Sequence, residues 1–566
     1  MGALTLSMEA RMRCSRLWLG AVMLIALAVV APERNLAAQT ASASSCDAYL
    51  PSARDVRGHK VGPVSCQMQP ANITVAGRPF TRLDIGLDGT VDGFVTRTGD
   101  YKEYLTNAPD LVFPQTADEG QRFLAIAKYE RAKGAAMTIV FPAATAWNGK
   151  VWVTVHGRGR SFKEGGLKPW DKNFDAARPA ADLNKYDVLM LTKGFALVKT
   201  HRTSAEGLGE ITATLDNGTT IDDIAFNDSA RYIMDFTSVA TNALTKHLGK
   251  APARTYFYGH SAGARIGRGI NYIPGLNVDR DGGVFFDGIL ADDGAAGGWL
   301  PVMFKDGKDV LLMSDAEKAR FVPQIDVSHQ MYNNIWPSKG PDYMSSSYLA
   351  NKRSNARILR EKGLTNKHRM YEVRGISHSG GETFPDGRRG DLQILDMSKL
   401  LDRFIDMLDA WVEKGTPPPP SRSDGPQLRG AGMLAAIALP EIACPLGVYH
   451  PFPNSVAGTT AFAAFTGKGL EPLDQQKVFI DMNRNGVWDE RETPEQAWRR
   501  LGLLATNEAL TRDRYVACVE KTAGALASEG FLSDATSRAY IEQAKTTELA
   551  VGLTDARRLA EARSGQ

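Results

Sequence analysis

Gly259, Ser261 and Gly263 stand in the pattern Gly-x-Ser-x-Gly within "TYFYGHSAGARIGRG" (Thr255–Gly269). A serine hydroxyl is a poor nucleophile at neutral pH and needs a general base to take its proton. Glycine on either side lets the chain turn too tightly for a side chain to fit. The alternating aromatics before the turn predict a strand, and the small and basic residues after it predict a helix. The turn would hold the serine in a strained backbone conformation, with its hydroxyl at the carboxyl edge of a sheet and facing the N–H groups of the helix N-terminus. The chemistry this suits is acyl transfer through serine.

Four histidines follow Ser261: His329, His368, His378 and His450. His378 lies in "YEVRGISHSGGE", just past a predicted strand and before the last long helix, which is where the base is expected. His368, between Lys367 and Arg369, reads as exposed, and His329 as a pocket residue. A carboxylate must hold the imidazole in the right tautomer and stabilise its charge. Asp342, in "SKGPDYMSSS" ahead of a predicted helix Ser345–Lys362, is favoured. Asp326, inside the strand "RFVPQIDVSH", and Asp292 and Asp293, after an earlier strand, compete with it. Donors for the oxyanion are expected from the Ala262 N–H and from Gly157 or Arg158 in "HGRGR", after another strand.

These side chains need a scaffold that brings several loops to one edge. From about residue 136 strands alternate with helices, the signature of an α/β sheet. Strands are predicted at Ala136–Pro142, Lys150–Gly157, Gly194–Thr200, Thr255–Tyr258, Gly283–Ala291, Arg320–His329 and Met370–Gly375. Helices are predicted at Asn227–Lys250 and Leu392–Gly415. Strand, Gly-x-Ser-x-Gly, helix, with the chain order Ser, acid, His, is the arrangement of the α/β-hydrolase fold. The expected fold class is therefore α/β, a doubly wound, mostly parallel sheet. Residues 1–38 read as a signal peptide, 39–135 as a β-rich segment, 136–415 as the catalytic domain, 416–430 as a Pro-rich linker, and 431–566 as a mainly helical appendage.

"GHSAGARIGRGINYIPGLNVDRDGGVFFDGIL" (Gly259–Leu290), "YEVRGISH" and "LDAWVEKGTPPPPSR" (Leu408–Arg422) resemble blocks of a family of secreted bacterial α/β-hydrolase-domain proteins. That resemblance covers most of residues 100–420 and implies esterase-type chemistry without fixing a substrate. "WNGKVWVTVHGRG" (Trp147–Gly159) is also similar to the tannase and feruloyl esterase family. That family carries a cysteine directly before its serine and another directly after its histidine, where this chain has His260 and Ser379.

The chain has 566 residues, enough for two to four domains, and its 43% hydrophobic content is that of a globular protein. A formal charge of +3, with no dense Lys/Arg run, gives no footprint for nucleic acid. Arg11, Arg13 and Arg16 precede an apolar run, Leu17–Ala31, that is short for a membrane span, and small residues follow it. This is the pattern of a secretory signal peptide, so the mature chain is expected to be periplasmic or secreted and without a membrane span. Removal of residues 1–38 takes four basic and two acidic residues and leaves a charge of +1. Export makes disulfides possible. Four cysteines remain after cleavage, and the pairing Cys46–Cys66 with Cys444–Cys518 is favoured because each pair closes a moderate loop in its own terminal region.

One further motif stands in the appendage. "DMNRNGVWDERE" (Asp481–Glu492) fits D-x-[DN]-x-[DN]-G-x5-E. Oxygen ligands for a structural Ca²⁺ would come from Asp481, Asn483, Asn485, the Val487 carbonyl, Asp489 and Glu492. No cofactor is expected in catalysis. The sequence thus predicts a secreted serine hydrolase acting on a small-molecule carboxylic ester. An amidase or peptidase of the same fold, or a non-catalytic calcium-stabilised binding module, is the alternative.

Overall fold

The computed structural model describes residues 44–52, 54–56, 59–61, 63, 65–88, 123–126, 129–156, 183–201, 205–208, 212–215, 220–221, 225–272, 277–279, 282–293, 302–305, 308–311, 315–329, 348–376, 397–425, 434–446, 494–547 and 549. The chain divides into two units, Met1–Ala37 and Ala38–Gln566, and all described residues belong to the second.

An 11-stranded sheet organises the second unit. Its strands are β1 (Ser44–Ser45), β2 (Ser65–Val75), β3 (Arg78–Asp88), β4 (Tyr129–Phe141), β5 (Lys150–His156), β6 (Ala196–His201), β7 (Ala205–Leu208), β8 (Arg254–His260), β9 (Gly288–Asp292), β10 (Gln324–His329) and β11 (His368–Val373). They are ordered β1-β2-β3-β4-β6-β5-β8-β9-β10-β11, with β7 paired to β4. From β6 to β11 every neighbouring pair is parallel, whereas β1 to β4 join antiparallel. The expected mostly parallel α/β sheet is therefore present. Strands of the β-rich N-terminal stretch extend that same sheet, and the Cys46–Cys66 disulfide ties the chain just after β1 to β2.

Parallel strands are buried on both faces, and each residue parity serves one of two cores. On one face Phe257, Ile289 and Val153 pack with helix α2 (Ala225–Leu248) and helix α3 (Ala262–Tyr272). On the other Tyr256, Leu290, Ile325 and Tyr371 pack with α1 (Lys185–Thr192) and α5 (Ser398–Lys414). Helix α4 (Tyr348–Glu361) lies between β10 and β11 in the chain. A phenylalanine taken wholly out of water, as Phe257 is, contributes on the order of 2 kcal/mol. The C-terminal helices α6 (Pro494–Arg500), α7 (Arg512–Ser528) and α8 (Asp534–Thr546) join the second core through Trp498, Phe531 and Tyr540. Cys444–Cys518 ties them down, in the pairing expected from the sequence. Among the described residues no helix is long and apolar enough to cross a membrane.

The Pro-rich segment after α5 lies along the edge of β11. The Arg422 N–H donates to the Met370 carbonyl, the Glu372 N–H to Arg422, and the Ile437 N–H to Glu372. The buried Glu372 carboxylate takes a two-pronged bond from Arg353 of α4, together with the Ser423 hydroxyl and the Asp424 N–H.

Three sequence expectations need correction. The strand expected at Arg320–His329 begins only at Gln324, because Asp315–Arg320 is a helix. The strand expected at Gly283–Ala291 begins only at Gly288. Asn277 clamps Phe286 through both its N–H and its carbonyl, and Asp279 closes a turn on Gly283, so the first residues are held as a loop. His368, read as exposed from its charged neighbours, is buried as the first residue of β11. Its charged neighbours are taken up by backbone carbonyls. Lys367 donates to the Ala319 carbonyl, and the Arg369 guanidinium caps Pro418 and Pro419 carbonyls over the Trp411 ring.

Burial lowers the His368 pKa to about 4, and Nε2 meets no hydrogen-bond partner among the described residues. A lowered histidine means that below about pH 6.5 the unfolded chain takes up a proton the folded one refuses. Stability is therefore expected to fall as the pH drops from 6.5 toward 4, by on the order of 3 kcal/mol. His368→Leu is expected to flatten this slope in urea-midpoint measurements while leaving stability at pH 7.5 within about 1 kcal/mol. A variant as acid-sensitive as the parent in that range would contradict it.

Candidate active site

The strand β8 runs directly into the turn. Its sequence Arg-Thr-Tyr-Phe-Tyr-Gly-His puts bulky side chains on both faces, and then the chain reverses at Ser261 and starts α3 at Ala262. Ser261 sits at φ 59°, a left-handed conformation that a residue with a Cβ adopts only under constraint. The constraint is visible at the two glycines. A Cβ on Gly259 would lie 2.1 Å from the Gly263 carbonyl oxygen, and one on Gly263 would lie 2.1 Å from that of Val155. Both obstacles are backbone, so no side-chain movement relieves them. The Ser261 N–H donates to the Asp292 carbonyl at 2.9 Å, and the Ala264 N–H donates to Ser261 at 3.1 Å. Ala262 stands in the first helical turn, where N–H groups have no acceptor inside the helix.

Behind the turn lies a closed group of charges that sequence reading had scattered over separate roles. Asp292, at the end of β9, is fully buried. Its Oδ2 accepts the Tyr258 hydroxyl at 2.8 Å and lies 3.0 Å from His260 Nδ1. Its Oδ1 lies 2.8 Å from Nε2 of His329, the last residue of β10. Burial alone would push the Asp292 carboxyl up. The charge of His329 and hydrogen bonds from His260 and His329 outweigh it and hold the group well below the usual carboxylate range. Asp293 follows at φ 50°. Its N–H donates to the Val327 carbonyl at 3.0 Å, Oδ1 takes the His329 N–H at 2.9 Å, and Oδ2 faces His329 Nδ1 at 3.3 Å. Lys352 of α4 stands 3.6 Å from Asp293; burial pulls its amine below the usual lysine range, partly offset by that carboxylate.

The third competing carboxylate is also engaged. Asp326 receives a two-pronged bond from Arg268 of α3, at 2.7 Å to each oxygen, with both groups buried. Gln324 is matched by Asn271, one turn further along α3. The alternation Gln-Ile-Asp-Val-Ser-His thus marks two buried faces, one of them polar and paired with a helix.

Ser261 and Ala262 are accordingly at the carboxyl end of the central parallel strand. Asp326, Asp292 and Asp293 are spent on buried partners, and His329, read as a pocket residue, is enclosed between two of them with no exposed surface. Asp342, His378, Gly157 and Arg158 lie outside the described residues, as do Asp481, Asn483, Asn485, Val487, Asp489 and Glu492 of the calcium loop. The described strands adjoining the first set all end on Ser261's side: β5 at His156, β10 at His329 and β11 at Val373. Sequence reading missed Tyr258 and His260 as a pair. The available signal was their spacing of two, which puts both polar tips on one face of a buried strand, where an acceptor is required.

No family model matches the chain, and no curated protein matches it. Among solved structures it is similar to LpqC, a poly(3-hydroxybutyrate) depolymerase from Bordetella parapertussis, at 15% identity over 53% of this chain and 91% of that one, with a TM-score of 0.27. It is similar to Est1E from Butyrivibrio proteoclasticus at 11% identity over 50% and 99% of the two chains, with a TM-score of 0.24. A poly(aspartic acid) hydrolase-1 from Sphingomonas sp. KT-1 shares 13% identity over 47% and 95%, with a TM-score of 0.29. Likeness at this level assigns neither family nor substrate.

Proposed function

We propose that this protein is a secreted serine hydrolase that cleaves carboxylic esters. The observation that carries the reading is Ser261 itself, a non-glycine residue held at φ 59° between two glycines whose missing side chains leave room only for backbone. Strain of this kind persists where the fold over-determines it, and active sites are where it gathers. In the proposed reaction Ser261 Oγ attacks the ester carbonyl while His378 takes its proton. The alkoxide leaving group departs with that proton, forming an acyl-enzyme. Water then attacks the acyl carbon, again losing a proton to His378, which passes it to Ser261 Oγ as the acyl–Oγ bond breaks and the acid is released. Asp342 would orient His378, which the commitment of Asp292, Asp293 and Asp326 to buried partners supports. The N–H of Ala262 and a donor at Gly157 or Arg158 would stabilise the oxyanion.

The two disulfides suit an oxidising compartment and support the signal-peptide reading. The test is turnover of p-nitrophenyl esters of increasing acyl length by the mature chain, with a fluorophosphonate adduct mapped by mass spectrometry. An adduct on Ser261 with ester turnover supports the reading. Turnover of amides in preference to esters moves it to an amidase. No turnover and no adduct leave a binding module.

We also propose that the loop Asp481–Glu492 holds one structural Ca²⁺, on the strength of its oxygen-ligand spacing. Millimolar Ca²⁺ is expected to raise the melting temperature by several degrees, because a ligand bound by the folded state alone stabilises it. EGTA should reverse the shift, and Asp481→Ala should abolish it. A melting curve indifferent to both Ca²⁺ and EGTA would remove the metal.

A further inference from the structure

Asp292, Asp293 and His329 behind the elbow do not touch solvent, so they are not candidates to meet a substrate. Their arrangement nevertheless bears on the nucleophile. Among the described residues three non-glycine residues have positive φ: Ala76, Ser261 and Asp293. The last two terminate neighbouring parallel strands, and a backbone hydrogen bond from the Ser261 N–H to the Asp292 carbonyl joins the two turns at 2.9 Å. Wherever Asp292 sits, the nitrogen of Ser261 follows.

Asp292 is fixed from the strands on either side of its own. Tyr258 and His260 of β8 reach one carboxylate oxygen at 2.8 and 3.0 Å, and His329 of β10 reaches the other at 2.8 Å. Both ring nitrogens of His329 face carboxylate oxygens, one on Asp292 and one on Asp293. Lys352 of α4 stands 3.6 Å from the same Asp293. A buried charge set stays favourable only while each member keeps its partners, and deleting one leaves the rest uncompensated. The arrangement is thus rigid by its own electrostatics, and it grips the one backbone carbonyl that receives the nucleophile's N–H.

We propose that Asp292 is a positioning residue for the Ser261 elbow, locked by Tyr258, His260 and His329 so that its carbonyl sets where the nucleophilic hydroxyl points. The proposal rests on the serine-hydrolase reading above. It does not give Asp292 any contact with substrate or with the transferred proton. A hydroxyl displaced by a fraction of an ångström attacks more slowly while the acyl pocket is unchanged, so the loss falls on kcat and not on KM.

The experiment measures the rate and the final stoichiometry of fluorophosphonate labelling, together with kcat and KM on a p-nitrophenyl ester. The proteins are the wild type, Asp292→Asn, His329→Gln, His260→Gln and a control, Asp84→Asn. The control breaks a buried pair with Arg82 on the distant strand β3 and costs stability without touching the elbow. Asp292→Asn is expected to label at least tenfold more slowly yet still reach one adduct per chain, with KM within about twofold of wild type. The two histidine variants should follow in the same sense and carry the test if Asp292→Asn does not fold. The control should label at the wild-type rate despite a lower melting temperature. Labelling within twofold of wild type in Asp292→Asn overturns the proposal, and so does slowing that merely tracks melting temperature across all variants, control included. A wild type that takes no adduct on Ser261 removes the hydrolase reading, and the positioning role with it.

Discussion

Ser261→Ala is expected to lower kcat/KM on an activated ester by at least about a thousandfold and to abolish fluorophosphonate labelling. His378→Ala should lose about as much, and the double variant no more than either alone, because nucleophile and base act as one unit. The folded protein should survive the serine change. Alanine keeps the Cβ and therefore the same backbone strain at φ 59°, and the Ser261 N–H to the Asp292 carbonyl is a main-chain bond that the substitution leaves in place. A melting temperature within about 2 °C of wild type, beside the lost activity, separates loss of chemistry from loss of fold. Retained turnover in Ser261→Ala would end the serine mechanism, whatever the geometry of the turn.

The second large effect is expected at the other end of the chain. A protein ending at Gly425 should fail to accumulate as soluble folded material. The helices beyond that point complete one of the two cores. Phe531 is fully buried, with its ring edge-on to Tyr371 of β11 at 5.2 Å and to Phe404 of α5 at 6.4 Å. Polar contacts hold the same helices to α5 and to the segment along β11: Arg403 to the Gly530 carbonyl at 3.0 Å and Arg422 to Glu529 at 2.6 Å. Removing them uncovers large apolar side chains beside β11, whose edge also loses the Ile437 ladder bonds. Phe531→Ala alone is expected to cost about 3–5 kcal/mol, the usual loss for a buried aromatic, read as a shift in urea midpoint. If the shortened chain melts as sharply and as high as the whole one, the C-terminal helices are a separate domain and this account of the core is wrong.

These expectations depend unequally on the two sources of information. The turn at Ser261 was legible in five residues, because its geometry is local. Glycines are required where a Cβ would strike backbone four or five residues on or on the adjoining strand, and that requirement leaves its mark directly in the sequence. Parallel strands were legible for a related reason: burial on both faces demands continuous apolar runs such as those of β5 and β8. The disulfide partners followed from loop size.

Partnership across the sheet was not legible. Asp292 looked like a triad candidate because a lone carboxylate after a strand carries no record of what it meets. Its partners His260 and His329 lie 32 and 37 positions away in opposite directions along the chain, and only the strand order β8-β9-β10 makes them neighbours. Asp326 was similarly open until α3 brought Arg268 against it. His368 was misread because flanking charges report the character of a stretch, whereas burial depends on what the rest of the chain lays over it. A strained serine at the end of a parallel strand could be read from local residues, since short-range sterics admit few alternatives. That Asp292, Asp293, Asp326 and His329 are taken up by buried partners came only from the fold, because a long-range ion pair is set by topology and leaves no local pattern behind.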